Sequence, residues 1–499
     1  MAEKPPARYE DRKADTFVKE FLGINTQPDR TAIDPRQFAW LENLMPIGYA
    51  NMRTVPRQSA SLLALGSVLS YWRYGNISNV DYLFCFLSDG SAVQVNISTF
   101  ATIAIAAAGT FTGTPAVSQW KNERILIVAS NNYWDWNGAA LTALGGVTAA
   151  PSAGTYISTF AGRVWIADGR TIYYSAPASY TDFQTISAGG VDVLTDESLR
   201  SVITGLYATN SFLYIFGTSS INVYSDVRVS AGVTIFSNNN ITGSIGTPYP
   251  NSIFAYYRGL MFVTDYGVFQ LIGATPRKLS DDLDGIFDHV DFSVRPSGGQ
   301  TMLYKQLVAS FLIRYAPDGT TARTLLAMFF NGKWFLASQG DSLTHMAAAF
   351  VSGVPTLFAS DGTNVYRMFY DTSANIDTTF ITALQPFKKP WVTKQGLKVA
   401  FEIKSDDEVL LTATADSESS SVPIVQSAEV LWVNASLAPV TWFSVISAVT
   451  WIRGGYQFFQ SNVEQWGRYL GYTVQSSSPQ FRLTGIIQQT ENRAEWAGR

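Results

Sequence analysis

His289 and His345 are the two histidines of this chain and its candidate general bases near neutral pH. Asp288 and Asp291 flank His289, so these residues could supply the acid and base of a Ser-His-Asp triad. Such flanking carboxylates are common by chance, and the sequence has neither a GxSxG elbow nor an HExxH pair. We therefore expect His289 to be a surface histidine and predict that the chain has no catalytic residues.

The residue types that hold metals and cofactors are also scarce. Cys85 is the single cysteine, which excludes an internal disulfide framework and a multi-cysteine zinc site. Residues 106–115 contain two glycines but lack the Lys-Ser/Thr of a phosphate-binding loop. Asp281, Asp282 and Asp284 lack the distal Glu of a calcium loop and indicate the start of a helix or turn. The sequence predicts no metal and no cofactor.

One aromatic-flanked acid could act on sugars. Asp135 lies between Trp134 and Trp136, and an acid beside such rings could assist the cleavage of a stacked sugar. The interpretation we favour is that both tryptophans pack against a neighbouring sheet or subunit. The Ser-Asp-Gly turns elsewhere resemble the aspartate boxes of sialidases, but without the Trp that completes them. A glycan hydrolase or a lectin-like glycan-binding protein is the alternative function.

The basic residues do not indicate a nucleic-acid-binding surface. Arg53, Arg57, Lys388, Lys389 and Lys394 form only loose groups, and no Lys/Arg-rich run is present. The net charge is −4. A protein that binds nucleic acid through its phosphates should be more basic. We interpret these basic residues as side chains on solvent-exposed faces.

A hairpin pattern recurs seven times along the chain. Alternating apolar residues lead into a tight turn, and a second strand leaves it. The turns are Asp89-Gly90, Asn131-Asn132, Asp168-Gly169, Ser219-Ser220, Tyr266-Gly267, Asp318-Gly319 and Asp361-Gly362. Their mean spacing is about 45 residues, the period of a four-stranded β-propeller blade. An ordinary β-sandwich or barrel has frequent hairpins but no such long period.

The chain as a whole is predicted to be all-β, in four parts. We predict an extended N-terminal arm over residues 1–35 and a β-propeller of about 6–7 blades over 36–378. A C-terminal β-sandwich follows over 379–490, because residues 396–407 alternate in polarity and further strands fit 409–415, 429–434, 467–475 and 479–488. Residues 491–499 form a tail.

Two local predictions accompany this division of the chain. Asp34 followed by Pro35 predicts a short helix over 35–44, with Asp34 as its N-cap. Residues 227–250, rich in Asn, Gly and Ser, predict a long projecting loop.

Composition indicates a protein that meets other chains. Apolar residues make up 46% and charged residues 15%, where soluble domains average about 25% charged residues. A surface this poor in charge favours broad contacts between proteins. The start of the chain is charged and lacks the apolar stretch of a signal peptide, so we expect no Sec export and no integral membrane segment.

Three stretches resemble the tail hub or nozzle proteins of short-tailed bacteriophages, the packaged-DNA stabilisation family. Residues 21–57 resemble the opening of that family, with Asn43, Gly48 and Arg53 at matching places. Residues 259–284 resemble its strand–aspartate–aromatic–Gly hairpin, which leads to a short helix. Residues 467–498 resemble the closing strands and tail of its sandwich domain. The similarity lies in their combination and order.

The resemblance implies a structural virion protein. Family members form a propeller nozzle, usually a homohexameric ring below the portal and adaptor, that retains packaged DNA until ejection. They anchor tail fibres or spikes, and genomic dsDNA passes through without sequence-specific binding. The implied place is the virion tail, after assembly in the host bacterial cytoplasm. Six copies would carry a net charge of about −24, which repels phosphate. The family has no catalytic residues, so none is carried over.

Overall fold

The computed structural model describes residues 13–192, 201–339, 342–406, 409–424, 442–443, 448–449 and 455–495, and it is all-β. These residues fall into two compact units. The propeller unit comprises Gln58–Gly332 and Gln339–Phe369. The terminal unit comprises the described residues of Met1–Arg57, Lys333–Ser338 and Tyr370–Arg499.

The strands are numbered in chain order. They are β1 (Lys13–Val18), β2 (Gly23–Ile24), β3 (Gln37–Glu42), β4 (Leu44–Gly48), β5 (Asn51–Thr54), β6 (Leu63–Ala64), β7 (Leu69–Ile77), β8 (Val80–Leu87), β9 (Ala92–Asn96), β10 (Thr102–Ala106), β11 (Ala116–Trp120), β12 (Arg124–Ala129), β13 (Asn132–Trp136), β14 (Leu141–Ala143), β15 (Tyr156–Phe160), β16 (Arg163–Asp168), β17 (Thr171–Tyr174), β18 (Gly189–Asp192), β19 (Ile203–Thr209), β20 (Phe212–Gly217), β21 (Ile221–Ser230), β22 (Val233–Thr242), β23 (Phe254–Tyr256), β24 (Gly259–Thr264), β25 (Gly267–Ile272), β26 (Thr275–Lys278), β27 (Ser297–Leu303), β28 (Gln306–Tyr315), β29 (Arg323–Phe330), β30 (Lys333–Ala337), β31 (His345–Val351), β32 (Val354–Ser360), β33 (Asn364–Arg367), β34 (Ile376–Thr382), β35 (Val392–Ser405), β36 (Thr412–Ser417), β37 (Ser421–Ile424), β38 (Trp442–Phe443), β39 (Ala448–Val449), β40 (Gly455–Asn462), β41 (Trp466–Gly467), β42 (Leu470–Ser478) and β43 (Arg482–Glu495). The described helices are one α-helical turn, α1 (Asp284–Phe287), and the 3₁₀ turns Val147–Ala149, Pro250–Ser252 and Asp281–Leu283.

Six four-stranded antiparallel sheets form a β-propeller arrangement in the propeller unit. Blades one to five take four consecutive strands each, from β7–β10 to β23–β26. Blade six consists of β31, β32 and β33, with β6 as its outermost strand. Strands β27, β28 and β29 form a further antiparallel meander, which contacts β23 of blade five and β31 of blade six. The meander thus fills the place between those two blades.

Strand β6 closes the propeller. It precedes blade one in the chain but pairs with β33, matching Leu63 to Val365 and Ala64 to Asn364. Blade six also meets blade one directly, since the His345 ring lies 3.2 Å from the carbonyl oxygen of Ser70. The beginning and the end of the propeller sequence therefore share one blade.

All seven predicted turns lie between the second and third strands of a sheet, so the predicted hairpins are confirmed. Six belong to blades, and Asp318-Gly319 belongs to the meander. The aspartates order the turns, as when Asp89 accepts a hydrogen bond from the Ser91 amide at 2.9 Å. The glycine after them takes positive φ, 81° at Gly90 and 58° at Gly169.

The prediction of a projecting loop over 227–250 is wrong. Most of the segment belongs to a long hairpin of β21 and β22, which turns at Ala231 and Gly232. Its asparagines act as cross-strand partners: Asn240 donates to Asn222 at 2.7 Å, and Asn222 donates to Asn238 at 3.3 Å. Side-chain amides that satisfy one another across a ladder keep an Asn-rich segment in a strand.

The terminal unit contains two sheets. In the first, β35 and β43 lie side by side, with β40 and β41 beyond β35, and with β5 and β1 beyond β43. In the second, β3 pairs with β34 on one side and with β30 and β2 on the other. From β34 the sheet continues in the order β42, β36 and β37. Phe401 of the first sheet lies 6.0 Å from the ring of Phe380 and 6.3 Å from that of Tyr472 in the second. These edge contacts pack the sheets together.

The predicted helix over 35–44 is wrong, because these residues contain strand β3. Asp34 accepts a hydrogen bond from the Arg36 amide at 2.8 Å, which makes a turn before a strand instead of a helix cap. Phe38 pairs with Thr382, far away in the chain. A tertiary pairing has overridden the local helix signal.

The described ends of the chain are built into the terminal unit. Of the predicted arm, residues 13–35 carry β1 and β2, and β1 pairs with β43. Residues 36–57, which we assigned to the propeller, belong to the terminal unit as well. The strands predicted over 396–407 and 479–488 are present as β35 and β43, and those over 409–415 and 467–475 overlap β36 and β42. The strand predicted over 429–434 lies outside the described residues.

Candidate functional site

The His289 region forms a shallow hollow instead of a triad. The hollow has a volume of about 390 Å³, and Asp288, His289, Asp291 and Arg314 are among its lining residues. Arg314 lies 3.4 Å from Asp291, and hydrogen bonds from Ser293 lower the pKa of the Asp291 carboxyl. The His289 ring makes an edge contact with Tyr315 at 6.2 Å, and within the described chain it makes no hydrogen bond. A base without a nucleophile or an orienting partner does not form a triad.

The tryptophans beside Asp135 are buried, as our favoured interpretation predicts. Trp134 packs on Phe111 of the segment between blades one and two, with ring centroids 4.9 Å apart. Trp136 donates from Nε1 to Gln94 of blade one at 2.6 Å. Neither ring is available as a platform for a sugar.

Asp135 belongs to a buried polar cluster within the propeller unit. It forms an ion pair with Arg124, which also donates to the Tyr180 hydroxyl at 2.7 Å. The Arg124 guanidinium lies 4.7 Å from the centroid of the Tyr180 ring. Burial raises the pKa of Asp135, although Arg124 opposes the shift. The cluster ties the segment around Tyr180 to blade two and leaves no open face for a substrate.

The other predicted turn and surface residues take structural positions. Asp281, Asp282 and Asp284 lie in a 3₁₀ turn and the start of α1, as predicted, and Lys278 lies 2.5 Å from Asp284. Of the basic residues, Lys394 is fully buried, contrary to the prediction of a solvated side chain. Its ammonium donates to the backbone carbonyls of Lys389, Val392 and Arg468 at 2.6, 2.7 and 2.9 Å. Burial lowers the pKa of Lys394 to about 8.

The described residues contain no cluster of His, Cys, Asp or Glu that could hold a metal ion. Cys85 is buried in the core between blade six and blade one, and burial raises the pKa of its thiol to about 12. A thiol with that pKa is unreactive at neutral pH. In the described part of the chain, no helix has the length and apolar character to cross a bilayer.

The centre of the propeller unit is lined by the first strand of each blade and of the meander. We call these β7, β11, β15, β19, β23, β27 and β31 the inner strands, and the space they enclose the central channel. Neighbouring inner strands touch, as shown by the 2.9 Å contact between the hydroxyls of Ser118 and Thr159. Aromatic, aliphatic and small polar residues make up most of these strands.

Arg73 on β7 is the one lysine, arginine, aspartate or glutamate of the inner strands. Arg73 is exposed to solvent. We did not predict Arg73 from the sequence, because its isolation is apparent only when the inner strands are known.

Comparisons with known proteins give no family. No family model matches the chain, and no curated protein matches it. The WD40 repeats of RRP9 align with 10% identity over 63% of this chain and 99% of their own, with a TM-score of 0.42. The extracellular domain of the one-component system BT4673 from B. thetaiotaomicron aligns with 11% identity over 64% of this chain and 41% of its own, with a TM-score of 0.40. This chain therefore spans less than half of that domain. TM-scores this low support no argument about function.

Proposed function

We propose that the chain is a structural subunit of the tail nozzle, or hub, of a short-tailed bacteriophage, and that it has no enzymatic activity. Six copies form a ring that closes the DNA channel until infection. The ring connects the head-to-tail adaptor to tail fibres or spikes, and genomic dsDNA passes through it without sequence-specific contacts. The protein belongs to the virion tail and assembles in the host bacterial cytoplasm.

Within the chain, we assign separate roles to the packed sheets of the terminal unit and to the N-terminal arm. The two packed sheets form a β-sandwich, which supports contacts with tail appendages. Residues 1–35, the predicted N-terminal arm, dock on a neighbouring subunit or on the adaptor. The resemblance of residues 21–57 and 467–498 to the nozzle family supports this assignment.

The observation that carries the proposal is the exposure of large aromatic side chains on both units. Tyr266 of the propeller unit is 77% exposed, and Trp391 of the terminal unit is 71% exposed. Trp466 is half exposed, and the guanidinium of Arg493 lies 5.6 Å from its ring centroid. Tryptophan, tyrosine and arginine are the side chains most enriched in protein interfaces. A chain that leaves them exposed is suited to permanent contacts with other subunits.

The alternative functions draw less support from the described residues. A glycan hydrolase requires two facing carboxylates about 5–9.5 Å apart in a cleft. Asp135 is instead buried against Arg124, and Asp291 is engaged by Ser293 and Arg314. A lectin that used Trp134 and Trp136 would need them at the surface, where they are not.

The direct test is the mass of the purified protein by light scattering, with negative-stain images of any large species. We expect a hollow ring with a mass about six times that of the 54.7 kDa chain. A parallel screen against bacterial polysaccharides should detect no depolymerisation. A monomer at every concentration that also depolymerises a polysaccharide would contradict the proposal and favour the glycan hydrolase.

A further inference from the structure

The two ends of the propeller unit carry different side chains. In each antiparallel sheet, the turn between the first and second strands lies at one end, and the turn between the second and third strands lies at the other. The inner strands run in the same direction, because four antiparallel strands return the chain to the end where the blade began. Thus His345 contacts Ser70 near the starts of β31 and β7, and the rings of Phe350 and Tyr74 lie 5.8 Å apart further along both strands. We call the end with the first turns the first-turn face, and the end with the second turns the second-turn face.

The first-turn face is apolar, and its turns are more basic than acidic. Large apolar side chains beside these turns are exposed to solvent: Val80, Phe212, Tyr257, Met302, Phe350 and Val354. The largest exposed fraction among them is the 69% of Tyr257. The first turns contain Lys121, Arg258 and Lys305 as bases, and Glu123 as the one acid. An exposed apolar surface with a positive charge is suited to a partner with a negative charge.

Hydrogen bonds between neighbouring sheets make part of the first-turn face continuous. Asn210 in blade four donates from its side chain to the carbonyl oxygen of Arg258 in blade five at 3.2 Å. Tyr256, next to the same turn of blade five, donates from its hydroxyl to the Leu307 carbonyl oxygen of the meander at 3.1 Å. The exposed apolar side chains of these three sheets therefore lie on adjacent, connected turns.

The second-turn face is acidic. Five of its seven turns contain an aspartate, and Arg170 is the one basic residue among these turns. The aspartates are Asp89, Asp168, Asp265, Asp318 and Asp361. Hydrogen bonds from Ser91 lower the pKa of Asp89, so this carboxylate is charged at neutral pH. The turns of the two faces therefore carry charges of opposite sign.

We propose that the first-turn face of one propeller unit packs against the second-turn face of the propeller unit in the next copy of this chain. The bases of the first turns then meet the aspartates of the next copy, and the exposed apolar side chains lose their contact with water. Because this contact joins two different surfaces, it is repeated from copy to copy and closes into a ring when the rotation between copies permits. The inference rests on the proposed function, since it assigns a contact by which that ring assembles.

The test is sedimentation velocity of the full-length protein and of two charge reversals, one on each face. Arg258→Glu on the first-turn face and Asp168→Lys on the second-turn face should each weaken self-association by about tenfold, because like charges then face each other. The matched control is Arg277→Glu, which reverses an exposed arginine on β26, the outer strand of the same blade as Arg258, and should leave self-association unchanged. If Arg258→Glu does not fold, Lys305→Glu tests the same face.

Mixing the two variants distinguishes this contact from other modes of assembly. Each variant keeps one face intact, so an equimolar mixture of Arg258→Glu and Asp168→Lys should form one-to-one pairs at concentrations where either variant alone is monomeric. An oligomeric wild type whose mass is unchanged in both variants would overturn this contact and leave the proposed ring standing. A wild type that is monomeric at every concentration would overturn the ring itself, and the contact with it.

Discussion

The two units of this chain are built from strand pairings of very different range. In the propeller unit nearly every strand pairs with the next one in sequence, as when Ile125 pairs with Trp136. In the terminal unit the main pairings join distant segments, as when Lys13 pairs with Glu491 and Phe38 with Thr382. Local hairpins leave a period in the sequence, whereas distant pairings leave no local trace. The difference explains where the sequence predicts the fold and where it does not.

Asn43 should be the most sensitive position of the terminal unit. It is fully buried with a φ of 60°, and its side-chain nitrogen donates to the carbonyl of Asp377 at 2.7 Å while its oxygen accepts from the amide of Ser338 at 2.9 Å. Asn43→Ala should lower the free energy of unfolding by about 3–5 kcal/mol, measured by urea unfolding. Asn43→Gly relieves the backbone strain and should recover about 1 kcal/mol. A loss of unfolding free energy below about 1 kcal/mol in Asn43→Ala would mean that the hydrogen bonds from Asn43 to Asp377 and Ser338 do not hold these distant segments together.

Two Asp-Gly turns of the propeller unit provide a matched pair. A Cβ on Gly90 would lie 2.6 Å from the carbonyl oxygen of Phe111, whereas a Cβ on Gly169 would meet no atom within 4 Å. Both glycines have positive φ. Gly90→Ala should therefore lower the free energy of unfolding by about 2–4 kcal/mol, and Gly169→Ala by about 1 kcal/mol. Equal losses in thermal or urea unfolding would show that neighbouring segments do not constrain the turn of blade one.

Trp136 and Gln94 test the contact between blades one and two. Trp136→Phe leaves the buried Gln94 side chain without its donor and should cost about 1–3 kcal/mol of unfolding free energy. In Trp136→Phe combined with Gln94→Leu, no orphaned polar group remains, so the double variant should be less destabilised than the sum of the single changes. Strict additivity in a double-mutant cycle by urea unfolding would argue against the hydrogen bond.

Lys394 gives the terminal unit a pH dependence that a single substitution can isolate. Its pKa is about 8 in the folded protein and about 10.5 in an unfolded chain, so the unfolded state binds more protons between these values. The free energy of unfolding should therefore rise by about 1 kcal/mol from pH 8 to pH 10.5, relative to Lys394→Met. The comparison requires urea unfolding of both proteins at each pH. Parallel pH profiles would contradict the lowered pKa.

The sequence predicts the propeller well because each hairpin carries its own turn chemistry. Asp-Gly and related dipeptides between alternating runs identified all seven central hairpins, although not β6 as the strand that closes the ring. Only two residues, Leu63 and Ala64, form that strand, and their partner lies about 300 positions later. Nothing local marks such a pairing.

The incorrect predictions also arise from contacts with residues far away in the sequence. Asp34 and Pro35 carry a helix-start signal, yet Phe38 finds a strand partner at Thr382. The asparagines of 238–240 resemble a loop in isolation, but they pair with β21. The burial of Lys394 depends on the carbonyl of Arg468, 74 residues away. Arg73 stands out only against the inner strands of the other blades, which no single window of sequence reveals.

The central functional claim is that the exposed aromatic side chains serve assembly. Sedimentation velocity of the wild type and of the double variant Trp391→Ser, Trp466→Ser tests it most directly. We predict that the wild type sediments as an oligomer, and that the variant keeps its thermal unfolding midpoint but shifts towards the monomer, because both side chains are exposed and contribute little to the fold of one chain. An unchanged distribution in the variant, or a wild type that is monomeric at every concentration, would contradict the claim.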